Sequence, residues 1–133
     1  MWRIRVLLSG VLLFTVVTLS EGLFVLGLPQ AAASVLRRSI QTSRHFKVEL
    51  GAQLASMYER MGRIDEAIER LNQIAQTDPN AVFFLELGLM YEKNGQPQLA
   101  VTNLERSMRL EPNIDPEFRS WMETKIDQLK FIS

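Results

Sequence analysis

The hydrophobic and polar positions divide the chain into regions of different character. From Val6 to Leu19 the residues are apolar, interrupted by Ser9, Gly10, Thr15 and Thr18. After Ser20-Glu21-Gly22 the apolar run resumes from Leu23 to Leu28 and stops at Pro29. Further on, apolar residues recur every three or four positions, which is the spacing of one face of a helix. These later runs are short and are punctuated by Gly62, Pro79, Gly95 and Pro112. The pattern predicts an all-α chain. A hydrophobic segment covers 1–33, a linker or helix 34–47, helix pairs 48–80 and 81–113, and a closing helix 114–133.

The two middle segments are copies of one another. At an offset of 33, Leu54/Leu87, Met57/Met90, Tyr58/Tyr91, Glu59/Glu92, Gly62/Gly95, Ala67/Ala100, Leu71/Leu104, Pro79/Pro112 and Asn80/Asn113 are identical pairs. Such a period marks a solenoid of stacked supersecondary units. Small residues at Ala55, Gly88, Ala67 and Ala100 allow close approach of paired helices. Gly62 and Gly95 stand where a helix ends in a left-handed residue. Pro97 suits a first helical position, and Asn80 suits an N-cap. Asp115 and Pro116 begin the last helix in the same way. On that helix Phe118, Trp121, Met122, Ile126 and Leu129 are predicted to cover the end of the repeats.

The spacing Leu54-Ala55-x2-Tyr58, Ala67-x3-Leu71, Pro79, repeated as Leu87-Gly88-x2-Tyr91, Ala100-x3-Leu104, Pro112, resembles the tetratricopeptide repeat. The resemblance covers 48–113 and implies a short solenoid of antiparallel helix pairs with a capping helix. It also implies a protein-binding role with no fixed ligand. The first repeat departs from the pattern at Gly51, where the family prefers a bulky residue; the second has Phe84 there. Two repeats fall short of the three that usually suffice for stability. Either the segment from Ser34 to Lys47 adds an opening helix, or a partner completes the stack.

Two readings fit residues 1–33. The run from 4 to 28 is long enough to span a bilayer as one helix, although Glu21 is costly within a span. Alternatively, the basic start at Arg3 and Arg5, the apolar stretch and Ala31-Ala32-Ala33 have the order of a cleaved export signal. Both predict membrane targeting. The export-like start places the repeat body outside the cytoplasm.

Charge sharpens this picture. The chain is neutral overall, yet 34–47 carries Arg37, Arg38, Arg44 and Lys47 with no acid. Residues 48–133 carry nine Lys or Arg against fourteen Asp or Glu, a net of −5. An acidic body lacks the clustered cations that phosphate binding needs, which argues against nucleic acid as a partner. Arg37, Arg38, Arg44 and Lys47 are the expected contacts with anionic lipid headgroups.

The chain has no Cys and one His, His45, so disulfides and thiolate chemistry are excluded and a histidine-based metal site lacks ligands. No glycine-rich phosphate loop and no nucleophile–base set occurs. The chain is therefore read as a non-enzyme without cofactors. The candidate partner-binding groove is the line Glu49, Ala52, Ser56 and Glu59 on the first repeat with Val82, Leu85, Leu89 and Glu92 on the second. It is acidic at one end and apolar at the other, which suits a docked segment of another protein. The lysines and asparagines that some family members use to grip a terminal carboxylate are missing from that line. The expected function is a membrane-associated scaffold or assembly factor. The alternatives are a small permanent subunit of a membrane complex and a secreted repeat module.

Overall fold

Three glycines set the architecture. Gly27, Gly62 and Gly95 have φ of +84°, +78° and +74°, a region that costs any residue with a Cβ about 1 kcal/mol or more. Each ends a helix with the same pair of hydrogen bonds. The glycine N–H reaches the carbonyl three residues back, and the next N–H reaches the carbonyl five back. These are Leu28 N to Leu23 O, 2.9 Å, Arg63 N to Tyr58 O, 2.8 Å, and Gln96 N to Tyr91 O, 2.9 Å. The chain turns back after each of them into a second helix.

The computed structural model describes residues 2–42 and 46–132. The helices are α1 (Trp2–Val25), α2 (Pro29–Thr42), α3 (Lys47–Arg60), α4 (Ile64–Thr77), α5 (Ala81–Lys93), α6 (Pro97–Leu110) and α7 (Pro116–Lys130). Among the described residues there is no strand. Capping follows the sequence. Asn80 Oδ1 accepts from Phe83 N at 3.0 Å, and Asp115 Oδ1 accepts from Glu117 N at 2.9 Å and Phe118 N at 3.2 Å. Pro29, Pro97 and Pro116 each open a helix, where the missing N–H removes no intrahelical bond.

The chain forms two compact units, Met1–Arg70 and Leu71–Ser133. In the first, α2 packs on α1 and on α3. Ser20, Ala32, Ala33, Leu36, Leu54 and Ala55 are fully buried. The hydroxyl of Ser20 donates to its own helix at Val17 O, 2.8 Å, so burying it leaves no donor unmet. In the second unit α5 packs on α6, and α7 covers α6 with Met122, Ile126 and Leu129 against Ala100 and Leu104. The α5–α6 approach is close. A Cβ built on Gly88 would lie 2.7 Å from Leu104 Cγ and 3.2 Å from the Ala100 carbonyl oxygen. Ser107 Oγ donates to Ala81 O across the same pair at 2.6 Å.

The structure makes α1 and α2 a third helix pair of the same kind. Shifted by 35 positions, Ser20, Gly27, Ala32 and Leu36 coincide with Ala55, Gly62, Ala67 and Leu71, which are small, left-handed, small and bulky in the same order. Pro29, where the apolar run stops, therefore opens α2. The basic segment assigned to 34–47 is, as far as Thr42, the second half of α2.

Among the described residues no helix is long and apolar enough to cross a membrane. The C-terminal part of α1 carries Ser20 and Glu21, both engaged within the unit. One expectation, on α7, is corrected. On α7, Phe118 and Trp121 are 38% and 44% exposed instead of sharing the buried face. Met122, Ile126 and Leu129 define that face, and Trp121 is one position, about 100°, away from Met122. Phe118 lies in the first turn and stacks on Trp121 with ring centroids 5.4 Å apart.

Candidate interaction surface

The predicted partner-binding residues occupy two helices, each described within its own unit. On α3, Glu49 and Ser56 are exposed, while Ala52 and Glu59 are half-buried. On α5, Val82 is 59% exposed and Leu89 is half-buried. Leu85 packs against the core formed by α6 and α7. Glu92 accepts two hydrogen bonds from Lys125 Nζ, at 3.0 and 2.9 Å, so the capping helix closes that end of the stripe. The open part of the α5 stripe is apolar, and the open part of the α3 stripe is acidic and hydroxylic.

Recognising α1–α2 as a repeat extends the set. The α1 positions equivalent to Glu49, Ala52, Ser56 and Glu59 are Phe14, Val17, Glu21 and Phe24. Phe14 is 72% exposed. Glu21 takes two bonds from Arg60 at 2.8 and 2.9 Å and one from Gln53 at 2.5 Å. The Arg60 guanidinium lies 3.8 Å above the Phe24 ring, a cation–π contact that holds it over α1. Glu21 thus joins α1 to α3. Sequence reasoning missed these residues, though Gly-x4-Ala-x3-Leu recurs at Gly27, Gly62 and Gly95 and marks all three helix pairs.

The basic set is dispersed. Arg38 and Lys47 are exposed, and Arg44 and His45 lie outside the described residues. Arg37 is turned into the first unit: its Nη1 donates to the Tyr58 hydroxyl at 3.0 Å and its Nη2 to Ser34 Oγ at 3.1 Å. Tyr91, the partner of Tyr58 in the second repeat, likewise accepts from Asn72 Nδ2 at 3.0 Å. Of Ala31-Ala32-Ala33, read from sequence as a cleavage site, Ala31 is exposed and Ala32 and Ala33 are buried inside α2. Among the described residues no group of three His, Cys, Asp or Glu side chains is arranged to hold a metal ion. The arrangement offers apolar side chains beside hydrogen-bonding and charged groups, which is chemistry suited to gripping a polypeptide.

Tetratricopeptide-repeat profiles match residues 53–81 and 81–114. The structure is similar to the type III secretion chaperone SycD of Yersinia enterocolitica, solved with a peptide of the translocator YopD. The TM-score is 0.72 at 20% identity, over 90% of this chain and 92% of SycD. It is also similar to PcrH of Pseudomonas aeruginosa, with a TM-score of 0.72 at 12% identity over 89% and 91% of the two chains. YrrB, a repeat protein with an unusual peptide-binding site, gives 0.62 at 22% identity over 74% of this chain and 50% of YrrB. Identities this low establish a common fold. No curated protein matches the chain in sequence. Residues 53–114 thus match two tetratricopeptide repeats, and the helix order and the structural relatives give the chain a tetratricopeptide-like fold.

Proposed function

We propose that the chain is a scaffold that binds a segment of a partner protein, with the outward stripe of α5 supplying apolar contacts. The observation that carries this reading is the stripe itself. Val82 is 59% exposed, with Leu89 half-buried on the same helix, while Phe83, Phe84, Leu87 and Met90 of α5 are buried. The stripe of Glu49, Ala52, Ser56 and Glu59 on α3 is proposed, separately, as a more polar contact surface. SycD bound to a translocator peptide lends support, since the same fold there holds a polypeptide. The test is capture by the full chain compared with a Val82→Asp/Leu89→Asp variant, followed by quantitative mass spectrometry. Partners retained by the natural chain and lost by the variant, at unchanged helicity and melting temperature, support the reading. Equal capture by both refutes it.

The finer part of the proposal puts this scaffold at a membrane surface. Ile4, Val11, Leu12, Phe14 and Leu19 on α1 are all more than half exposed, and Arg3 and Arg38 are exposed cations. Apolar area together with basic side chains favours an anionic lipid surface. Flotation of the full chain with phosphatidylglycerol vesicles, and its loss in a Val11→Asp/Phe14→Asp variant, is the expected result. A chain that stays in the soluble fraction removes the membrane from the proposal. Stoichiometry then separates the two kinds of scaffold: an assembly factor is substoichiometric to its complex, and a permanent subunit is equimolar.

A further inference from the structure

We propose that the cleft lined by Arg37, Ile40 and Gln41 of α2 and by Arg70 of α4 binds a carboxylate carried by an acidic segment of a partner protein. The cleft has a volume of about 110 Å³ and lies within the first unit, on residues outside the α3 and α5 stripes. Its distinguishing feature is a lining of two arginines and no acid. Among the described residues neither Arg37 nor Arg70 makes an ion pair.

The neighbouring acids are accounted for. Glu66, one turn before Arg70, is held by two hydrogen bonds from Arg63, at 2.6 and 2.5 Å. Glu69 is exposed and adjacent in sequence to Arg70, and successive helix residues point about 100° apart. α2 carries no acid at all. Like charges brought together at a partly desolvated position repel, and an incoming anion removes that cost.

Arg37 is also held in place before any ligand arrives. Nη1 donates to the hydroxyl of Tyr58, a residue only 5% exposed, and Nη2 donates to Ser34 Oγ. Both partners are neutral, so they fix the orientation of the guanidinium without cancelling its charge. A pre-oriented guanidinium that shares a cleft with a second arginine suits a carboxylate, whose two oxygens can accept from the remaining N–H groups of both. Ile40 adds an apolar wall for the methylene carbons that carry such a group, and the Gln41 amide adds a neutral donor. These features favour the carboxylate of an Asp or Glu side chain over a bare inorganic anion, which would leave the Ile40 wall uncovered.

The inference rests on the chain binding polypeptides, but it concerns a surface that the α5 variant does not touch, so the two fail separately. The probe is acetyl-Leu-Glu-Leu-Glu-amide, titrated into the ¹⁵N-labelled full chain while the arginine Nε–Hε resonances are followed. Saturable shifts of Arg37 and Arg70 are expected, falling as salt rises. Arg70→Gln is expected to weaken the apparent affinity about tenfold without changing the circular dichroism, since Arg70 has no structural partner. Arg37→Lys keeps the charge and loses the fork, and should weaken binding by several-fold. The Gln-for-Glu version of the peptide should leave both resonances in place. Absence of saturation, equal shifts with the Gln peptide, or unaltered binding by Arg70→Gln would each overturn the proposal. Inorganic phosphate or phosphatidylglycerol vesicles acting at lower concentration than the peptide would also overturn it, by assigning the cleft to a phosphate group.

Discussion

Replacing Leu36 by Ala asks whether α1 and α2 are a working repeat or a leader lying against one. Leu36 is fully buried on α2, at the position Leu104 holds on α6. Truncating a buried leucine removes transfer free energy and leaves a cavity that the neighbours fill only in part, at a cost of about 2–5 kcal/mol. Leu36 has Ala32 and Ala33 beside it on its own helix, and both are also fully buried. Small neighbours have few atoms with which to close a cavity, so a loss of about 3 kcal/mol is expected. For a chain of this size that is a fall in Tm of roughly 10 °C. The assay is urea unfolding of Leu36→Ala and Leu104→Ala by far-ultraviolet circular dichroism, with amide hydrogen exchange of Leu36→Ala read at Leu54 and Ala55, which are fully buried on α3 in the same unit. If the N-terminal pair is an integral repeat, both variants lose comparable stability and exchange at Leu54 and Ala55 speeds up by the same free energy. A leader would behave differently: Leu36→Ala would leave exchange at Leu54 and Ala55 where it was, to within about 0.5 kcal/mol, the range of an ordinary surface change. That result would refute the third repeat.

Gly88→Val should destabilise by about 3 kcal/mol, because the added Cβ would stand 2.7 Å from Leu104 Cγ and crowd the Ala100 carbonyl at 3.2 Å, and the melting curve measures it. Gly27→Ala, Gly62→Ala and Gly95→Ala should each cost about 1 kcal/mol, since all three hold a left-handed backbone; chemical denaturation of the three side by side tests whether the first turn behaves like the other two. Asp115→Ala removes the acceptor for two N–H groups at the start of α7 and should cost about 1 kcal/mol, seen also as faster amide exchange at Glu117 and Phe118. Glu21→Gln breaks an ion pair whose side chains are 37% and 38% exposed, so its effect on stability should stay below about 1 kcal/mol despite the number of bonds drawn.

The repeats at 48–113 were legible because each position that matters is either small, left-handed or a cap, and these requirements admit few residue types. Gly62, Gly95, Asn80 and Asp115 do in the structure what their identities predict. The first pair hid behind composition. An apolar run from Val6 to Leu28 satisfies the criterion for a hydrophobic segment, and helical periodicity cannot be seen where nearly every residue is apolar. What remained visible was the punctuation: Gly27, then Ala32 and Leu36, at the spacing of the later repeats. Turn chemistry was thus a better guide than hydropathy. A left-handed residue followed by a helix start is needed for a helix pair and is superfluous in the middle of an anchor.

The interaction surface was less legible for a related reason. Periodicity assigns a residue to a face of its helix, and the partner of that face depends on which other helix arrives there. Val82, Leu85 and Leu89 form one stripe, yet α7 contributes to the core that Leu85 packs against, while Val82 stays 59% exposed. Glu92 belongs by its spacing to the binding line, and Lys125, 33 residues later, occupies it. The Arg37–Arg70 cleft was invisible in the same way. Arg37 read as one of four juxtamembrane cations, a property of its neighbours in sequence. Its bond to the Tyr58 hydroxyl and its place beside Arg70 are properties of its neighbours in space, and they give the guanidinium an orientation that a headgroup-binding cluster has no use for. Charge density read along a chain therefore points to a surface only where the backbone keeps those residues on one side. Here the second half of α2 turns Arg38 to solvent and Arg37 inward, so the two arginines serve different ends.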